Sequence, residues 1–484
     1  MLKQNLTNLI SISFIGGMLG SALQYLLYLI VGRNLGSAAL GLFTFGIVVL
    51  NVGTLFSKVG MDKAMRKFIP IYQENNQKNK LSGLLIFGLI IPFCMGIGLV
   101  IVLYLNSDLI NSYLSVSFVS TTKLFLFGIP FMAIMTVGRA ATTGFLRTRY
   151  AVYIKDFGQS GSAIVFVLIG SLIVGTTRAA VIGYTFSLVL SAMLALYYLY
   201  QLGGFNGFHK FEIDTKQILT YSLPLTAAAV SQYLTSWTDV LMLGTFTTES
   251  AVGRYQAAFQ TAMILGFLLS AANSIFPSLA SNLYDAGKTH ELRDVYSILT
   301  KWITYLTVLG YTFVILYTSE ILFLFGSEFV AAETVLIILA GVFVISTMVG
   351  PAGYLLMMAD YEKVELINTL ISGTLNIILN FILIQRFGIL GAAIATGLSL
   401  VFQNLLRLSE IYWYFGIYPE IKNYWKGGIA IVVSVPVMIV CQYFISNYIV
   451  LLITSGMMGL ITFALVTTLL GIDNKDKILV EKIS

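Results

Sequence analysis

The sequence predicts an all-α integral membrane protein with about 14 transmembrane helices, arranged as two parallel-repeat six-helix lobes followed by two further helices. Three observations predict this fold: the apolar composition, the number of hydrophobic runs, and an internal duplication. Of the 484 residues, 57% are hydrophobic and only 10% are charged, whereas a soluble domain carries about 25% charged residues. This composition excludes a water-soluble globular protein.

Hydrophobic runs bounded by charges or turn residues mark the predicted transmembrane helices. Each crossing takes roughly 20 residues, so a chain of this length has room for a dozen or more. The runs lie near 9–31, 39–58, 81–105, 119–142, 157–176, 180–201, 217–245, 251–275, 299–318, 332–358, 364–385, 389–414, 427–446 and 448–471.

The placement of Lys and Arg predicts the orientation of the chain, because positive charge concentrates in cytoplasmic loops. With the N-terminus inside, all but five of the 28 Lys and Arg residues fall on the cytoplasmic side. The exceptions are Arg33, Lys123, Arg178, Arg254 and Arg386. We therefore expect a multi-pass protein of the cytoplasmic membrane with both termini in the cytoplasm, and we expect no nucleic-acid partner.

An internal duplication relates two parts of the chain at offsets of 211 to 213 residues. The paired positions are Gly41 with Gly253, Gly138 with Gly350, Tyr150 with Tyr361, Gly175 with Gly388, and Ala179 with Ala392. Because six predicted spans separate the copies, both copies begin on the same side of the membrane, as in transporters that rock two halves around a central site. The duplication predicts one lobe at 1–213, a second at 214–415, two extra helices at 416–472 and a cytoplasmic tail at 473–484.

Four segments have a pattern shared with a known family. They are VGRNLGSAALGLFTFGIVV (31–49), SLPLTAAAVSQYLTSWTDVLMLGTFTTESAVGRYQAAFQ (222–260), FGSEF (325–329) and FGILGAAIATGLS (387–399). The most specific piece is WTDVLMLG (237–244) with the Gly-Arg-Tyr turn that begins at Gly253. In these segments the chain resembles the polysaccharide transporters of the multidrug/oligosaccharidyl-lipid/polysaccharide flippase superfamily.

The resemblance implies a flippase that moves a polyprenyl-(pyro)phosphate-linked oligosaccharide across the cytoplasmic membrane by alternating access, for cell-surface polysaccharide or glycan assembly. It also implies a cationic cavity for the phosphate groups and a groove for the lipid tail at the last two helices. The expected partners are the lipid-linked oligosaccharide, membrane lipids and glycan-assembly enzymes. We expect no catalytic residue, cofactor or metal, since the chain has no G-x4-G-K-[ST] motif and no cluster of ligand residues.

Arg139 is the predicted intramembrane ligand for the substrate phosphate, and Arg33 and Arg254 are further candidate cavity cations. Arg139 lies inside the fourth predicted span, whereas Arg33 and Arg254 border the outer ends of the first and eighth. A charge inside a membrane costs roughly 2.5–3.5 kcal/mol on insertion scales, and a guanidinium binds phosphate oxygens bidentately. The alternatives are that Arg139 snorkels to the interface and that the other two anchor helix ends there.

Asp239, in the seventh predicted span, is the candidate cavity acid or ion-coupling residue. The alternative is a structural ion pair of Asp239 with Arg254 or Arg33. Amides and hydroxyls at helical spacing are candidates for lining a sugar-binding cavity, and packing between helices is the alternative for each amide. The candidate lining residues are Gln232, Ser236, Asn376 and Asn380.

Two rival functions stay open. A sodium- or proton-coupled exporter of drugs or other small molecules, from the same superfamily, would place acidic residues in the early helices of a lobe. The first two spans contain none before Asp62, although Asp239 keeps this alternative open. A membrane glycosyltransferase or polymerase needs acidic or histidine side chains on a sizeable loop, and the predicted outer loops are short.

Overall fold

The computed structural model describes residues 2–106, 120–203, 212–417, 424–471 and 476, without the side chains of 2–18, 120–122, 234 and 235. Every regular element in these ranges is a helix, which confirms the all-α prediction. Packing divides the chain into two compact units, Met1–Gln256 and Ala257–Ser484. Of the predicted tail at 473–484, the described part is Asp476 alone.

In the described ranges, the first unit contains nine helices and the start of a tenth. They are α1 (Leu2–Lys58), α2 (Met61–Glu74), α3 (Lys78–Leu105), α4 (Ser120–Leu126), α5 (Ile129–Gly144), α6 (Thr148–Val152), α7 (Ser162–Ile169), α8 (Thr177–Gln201), α9 (Thr215–Phe246) and α10 (Glu249–Met263). Two π-helical segments, Tyr153–Gly161 and Gly170–Val174, flank α7. The boundary between the two units falls within α10.

The second unit begins within α10 and continues through eight further helices in the described ranges. They are α11 (Phe267–Asp285), α12 (Thr289–Leu316), α13 (Thr318–Phe323), α14 (Glu333–Val349), α15 (Ala352–Met358), α16 (Glu362–Phe415), α17 (Tyr424–Phe444) and α18 (Tyr448–Leu469). Short 3-10 turns lie at Ile264–Gly266 and Ser327–Ala332.

In the described ranges, 11 helical segments are long and apolar enough to cross a membrane. This count does not confirm the predicted fourteen spans. Two segments, Leu19–Lys58 and Glu362–Phe415, each cover two predicted spans. Each contains one non-helical glycine, Gly36 (φ 86°) or Gly388 (φ 56°), where the sequence predicts a turn. Glycine accepts a positive φ because it lacks a Cβ. The predicted span 217–245 corresponds to α9, which is not one of the 11.

Each unit contains a similar tyrosine stack at a position that the duplication pairs. In the first unit, the ring of Tyr150 stacks on Tyr198 with centroids 4.4 Å apart and planes at 11°. In the second, Tyr361 stacks on Tyr414 with centroids 4.1 Å apart and planes at 24°. The similar packing of the two paired tyrosines supports the internal duplication.

Two glycines that the duplication pairs also pack directly against each other, where α1 crosses the start of α10. A Cβ on Gly41 would overlap the carbonyl oxygen of Glu249, and a Cβ on Gly253 would overlap the carbonyl oxygen of Ser37. Beside them, the hydroxyls of Ser37 and Ser250 are 2.5 Å apart. The contact is reciprocal, so only glycine at both positions lets these two backbones approach this closely.

Helix α2 is amphipathic, and its apolar face is part of the core of the first unit. Met61, Met65 and Phe68 recur at helical spacing and are buried in one hydrophobic cluster. Arg66 lies on the opposite, exposed side. A Cβ on Gly144, at the end of α5, would lie 2.7 Å from the carbonyl oxygen of Met65. This close packing brings Arg66 beside the end of α5.

Two ion pairs lie inside the second unit. Arg407 donates through Nε to Glu365 Oε2 at 2.9 Å and makes a second hydrogen bond to the other carboxylate oxygen. Lys301 Nζ lies 2.8 Å from Asp476 Oδ1. A buried charge needs such a partner because desolvation is costly, so we assign these groups a structural role.

Candidate functional site

The first unit contains a cavity of about 520 Å³ between α1, α2, α5, α6, α8, α9 and the π-helical segment that follows α6. Apolar, aromatic, hydroxyl, amide, cationic and acidic residues all line it. The polar, charged and aromatic lining residues are Ser21, Gln24, Tyr28, Asn51, Arg66, Arg139, Thr143, Thr148, Lys155, Asp156, Gln159, Ser160, Tyr184, Tyr233 and Trp237. Their chemistry makes this cavity the candidate functional site.

Arg139, the predicted phosphate ligand, lines the cavity from the second half of α5. Its guanidinium Nε is buried and has no hydrogen-bond partner among the residues that the structure describes. Arg66, Lys155 and Asp156 are its charged neighbours within the cavity lining. A buried polar group without a partner is costly. The guanidinium therefore retains hydrogen-bonding capacity for an anion in the cavity.

Three charged residues that are not among the predicted site residues also line the cavity: Arg66, Lys155 and Asp156. Lys155 and Asp156 lie on the π-helical segment Tyr153–Gly161, and segments of this kind occur frequently at functional sites. The carboxylate of Asp156 lies against α1, where a Cβ on Gly20 would come within 2.8 Å of its Oδ1. The adjacent Lys-Asp pair at the start of a predicted span was the only sequence signal for this segment.

The charged side chains give the cavity wall a net positive charge. Arg66, Arg139 and Lys155 are cationic and Asp156 is anionic, so the fully ionised lining carries two excess positive charges. Cations that share a cavity repel one another. An anionic ligand would relieve this repulsion, and a cationic ligand would increase it.

Amides and aromatic rings line the rest of the cavity. Of the intramembrane amides, Gln24, Asn51 and Gln159 reach it, together with the tyrosines and Trp237. The Ser160 hydroxyl donates to Gln159 Oε1 at 3.2 Å, which orients this amide. Apolar walls with a few placed polar groups are the usual make-up of a ligand cavity.

Arg33 and Arg254, the other candidate cations, do not line this cavity. Arg33 is exposed, near the break in α1 at Gly36. Arg254 lies on α10 beside the Gly41–Gly253 crossing, and its Nε is buried without a hydrogen-bond partner among the described residues. Their predicted role as substrate ligands stays a prediction.

The candidate polar face of α9 is turned away from the cavity, and the neighbouring face of this helix lines it. Gln232 and Ser236 are exposed and hydrogen-bonded to each other, with Gln232 Nε2 and Ser236 Oγ 3.3 Å apart. Tyr233 and Trp237, each one residue further along, line the cavity instead. One residue turns a helix by about 100°, so this offset is enough to change the face.

Asn376 and Asn380 lie in the second unit and are not part of this cavity. They share a helical face, as predicted: Asn380 Nδ2 donates to Asn376 Oδ1 at 3.0 Å. Asn380 Oδ1 is buried and has no hydrogen-bond partner within the described ranges. A role for this pair in substrate binding stays a prediction.

Asp239, the candidate ion-coupling acid, is buried between α9 and α10 and does not line the cavity. Tyr255 donates its hydroxyl to Asp239 Oδ2 at 2.5 Å, and the backbone amide of Val240 lies 2.8 Å from Oδ1. In the structure, the hydrogen-bond partners of the carboxylate are therefore Tyr255 and Val240 rather than an arginine.

We expect Asp239→Asn and Tyr255→Phe to affect stability more than ligand binding. Each change weakens or removes a buried hydrogen bond that involves a charged group, which is worth about 1.5–3 kcal/mol. Thermal unfolding of the purified variants measures the loss of stability, and ligand binding is measured below the unfolding transition. If folded Asp239→Asn fails to bind ligand or loses ion-dependent transport, Asp239 has the functional role that the sequence predicts.

In the described part of the chain, no group of three or more His, Cys, Asp or Glu residues is arranged to hold a metal ion. The arrangement of the cavity is suited to noncovalent binding of an anionic, hydroxyl-rich ligand.

The chain matches two protein-family models and shares its fold with solved transporters. Residues 6–283 match the polysaccharide biosynthesis protein model, and 224–382 match the MatE model. A probable low-salt glycan biosynthesis flippase of Haloferax volcanii, Agl15, is 27% identical over 423 residues, which cover 81% of each chain.

Two solved structures show the fold to which the chain is similar. The lipid II flippase MurJ in an inward closed conformation superposes with a TM-score of 0.72 at 17% identity, covering 95% of this chain and 98% of that one. An inward-facing multidrug resistance MATE transporter superposes with a TM-score of 0.66 at 16% identity, covering 81% and 94%. The first family model matches more than half of the chain. The chain therefore belongs to the polysaccharide biosynthesis protein family, within the multidrug/oligosaccharidyl-lipid/polysaccharide flippase superfamily, and is a membrane transporter rather than an enzyme.

Proposed function

We propose that this protein flips a polyprenyl-(pyro)phosphate-linked oligosaccharide across the cytoplasmic membrane by alternating access, for cell-surface polysaccharide or glycan assembly. The observation that carries the proposal is the cavity in the first unit, which combines excess positive charge with amides and aromatic rings. The glycan flippase named among its relatives supports the same class of cargo.

The charge of the cavity is suited to a diphosphate linkage. A diphosphate esterified at both ends carries two negative charges at neutral pH, and the ionised cavity wall carries two excess positive charges. Arg139 supplies a planar donor fork that binds phosphate oxygens at fixed geometry, and Lys155 supplies a compact point charge. The substrate headgroup would thus replace water with charge-assisted hydrogen bonds at the start of transport.

The proposal also gives a role to the two lobes, to the last two helices and to the orientation of the termini. Two lobes, at 1–213 and 214–415, would rock around the substrate, and the two helices of 416–472 would guide the lipid tail. Both termini would lie in the cytoplasm, where enzymes of glycan assembly deliver the substrate. The predominance of Lys and Arg in the predicted cytoplasmic loops supports this orientation.

The MatE match and the similarity to multidrug transporters support a second candidate, an exporter of small molecules coupled to sodium or protons. A cationic drug would enter a cavity that already has excess positive charge, which makes its binding there unfavourable. The lipid-linked oligosaccharide is therefore the better-supported cargo.

Ligand-induced stabilisation separates the two candidates, because a ligand that binds the folded state raises the unfolding temperature. We expect polyprenyl diphosphate carrying N,N′-diacetylchitobiose to stabilise the purified protein in detergent, and tetraphenylphosphonium, a lipophilic cation, to have no effect. Proteoliposomes containing the protein should then move the labelled lipid between leaflets faster than protein-free vesicles. Stabilisation by the cation alone would favour the exporter and contradict the proposal.

A further inference from the structure

The cavity extends well beyond its cationic residues. Helices α5 and α8 run side by side in the same direction, since a Cβ on Gly128 would contact Leu188 and a Cβ on Gly138 would contact Ala195. Tyr184 precedes Ala195 by three turns of α8, so it lies about 16 Å along the helix axis from the level of Arg139. The part of the wall near Arg139 and the part near Tyr184 are therefore far enough apart to contact different parts of one ligand.

The part remote from Arg139 is aromatic. Tyr28, Tyr184 and Tyr233 are neighbours there, and all three line the cavity. Tyr233 and Trp237 lie one turn apart on α9, with ring centroids 5.9 Å apart and planes inclined by only 27°. Both side chains are half-buried, unlike the fully buried Tyr28. The two rings, with planes close to parallel, form an aromatic surface in the cavity wall that remains accessible.

Amides lie beside this aromatic surface. The Tyr233 hydroxyl neighbours the Asn51 side chain, and the Tyr184 hydroxyl neighbours Gln159. A pyranose ring has a face of C–H groups, which stacks on an aromatic ring, and a rim of hydroxyls, which bond to amides. Aromatic rings also cost little conformational entropy when they bind, because they are already rigid. The cavity wall thus provides aromatic rings for the C–H face of a sugar and amides for its hydroxyls.

We propose that Trp237 and Tyr233 form a sugar-stacking subsite, which binds a pyranose ring of the cargo while Arg66, Arg139 and Lys155 bind its phosphates. This inference rests on the proposed function, and it adds that the protein recognises the glycan itself and not only the lipid diphosphate. Trp237 then determines selectivity for glycosylated over bare lipid.

The test compares two probes on the purified protein: polyprenyl diphosphate carrying N,N′-diacetylchitobiose, and a sugar-free probe, the methyl ester of the same polyprenyl diphosphate, which has the same two negative charges. We expect the wild type to bind the glycosylated probe more tightly. Trp237→Ala should weaken that binding about five- to tenfold, the equivalent of one lost aromatic stack, and leave affinity for the sugar-free probe unchanged. Trp237→Phe, which keeps a ring, should retain most of the selectivity.

Trp413→Ala is the matched control, because Trp413 is 83% exposed and lies outside the cavity. It should bind both probes as the wild type does. Equal weakening of both probes by Trp237→Ala would indicate a structural role and overturn the subsite, as would unchanged binding of both. If the wild type binds neither probe, the proposed function itself fails, and this outcome is distinct from failure of the subsite.

Discussion

Arg139→Ala is expected to weaken binding of a polyprenyl diphosphate about 10- to 100-fold, because the change removes charge-assisted hydrogen bonds worth about 1.5–3 kcal/mol. The buried Nε without a partner and the cationic neighbours of this side chain are the structural reasons. Titration of the purified variant with the sugar-free lipid measures the effect on the phosphate contact alone.

We expect Arg139→Ala to leave the stability of the protein unchanged or to increase it, although the variant binds the lipid more weakly. A charged side chain inside a membrane protein costs stability unless it is compensated, and Arg139 also repels Arg66 and Lys155. We therefore expect Arg139→Ala to unfold at the same temperature as the wild type or higher. A variant that loses both binding and stability would indicate a structural arginine.

Two comparisons complete this experiment. Arg139→Lys keeps the charge and loses the planar fork, so it should recover only part of the affinity; full recovery would indicate simple attraction between charges. Arg178→Ala removes an exposed arginine outside the cavity. It should bind as the wild type does, and a loss equal to that of Arg139→Ala would assign the effect to the total charge of the protein.

Gly41→Ala is expected to destabilise the protein by about 1–3 kcal/mol, the usual cost of overpacking. The new methyl group would overlap the backbone carbonyl of Glu249, and a backbone atom cannot rotate away as a side chain can. The two helices must separate instead, which also disrupts the contact between Ser37 and Ser250. In Gly253→Ala the new methyl group would overlap the backbone carbonyl of Ser37, so this variant should be destabilised by a similar amount.

Gly98→Ala is the matched control for this crossing. Gly98 also lies in a long apolar helix, and a Cβ there would meet no atom within 4 Å. Because alanine favours a helix over glycine by about 1 kcal/mol, this variant should be as stable as the wild type or more so. If Gly41→Ala and Gly98→Ala have the same unfolding midpoint in detergent, the close crossing is not a stabilising contact.

Crosslinking checks the same crossing without measuring stability. Ser37→Cys combined with Ser250→Cys should form a disulfide in native membranes, because the two hydroxyls are within contact distance. Cys94 and Cys441 are replaced by alanine in this background to prevent other pairings. Failure of this pair to crosslink under mild oxidation would show that the helices do not approach here.

Much of the fold could be predicted because it depends on local and periodic features. Long apolar runs are forced into helices, since a backbone in lipid must satisfy its own hydrogen bonds. The breaks at Gly36 and Gly388 fall where the sequence predicts turns. The number of spans was harder to predict, because a helix that bends at a glycine counts as one segment in the structure and as two in the sequence.

The site could be predicted only in part. Arg139 is predicted as a cavity cation because a charge inside a span is costly. The structure places it in the cavity wall, and its role as a substrate ligand stays a prediction. Arg66 and Lys155 were counted among the loop charges, and a linear charge count does not show that α2 and a π-helical segment bring them to the same cavity. The predicted polar face of α9 differs by one residue from the face that lines the cavity, which carries Tyr233 and Trp237. An aromatic residue in an apolar helix is usually a packing residue, so the sequence alone does not distinguish these two.

The linear chain alone predicted a helical membrane transporter, an internal duplication and an arginine inside a span. Composition, hydrophobic periodicity and the offset between the two repeats are properties of the linear chain, so they can be read from the sequence. The tertiary structure alone decided which helix faces meet: it gathered Arg66, Arg139, Lys155 and Asp156 around one cavity, with Tyr233 and Trp237 along its wall. Such contacts depend on the rotation and close packing of helices distant in sequence, and a shift of one residue changes the exposed face.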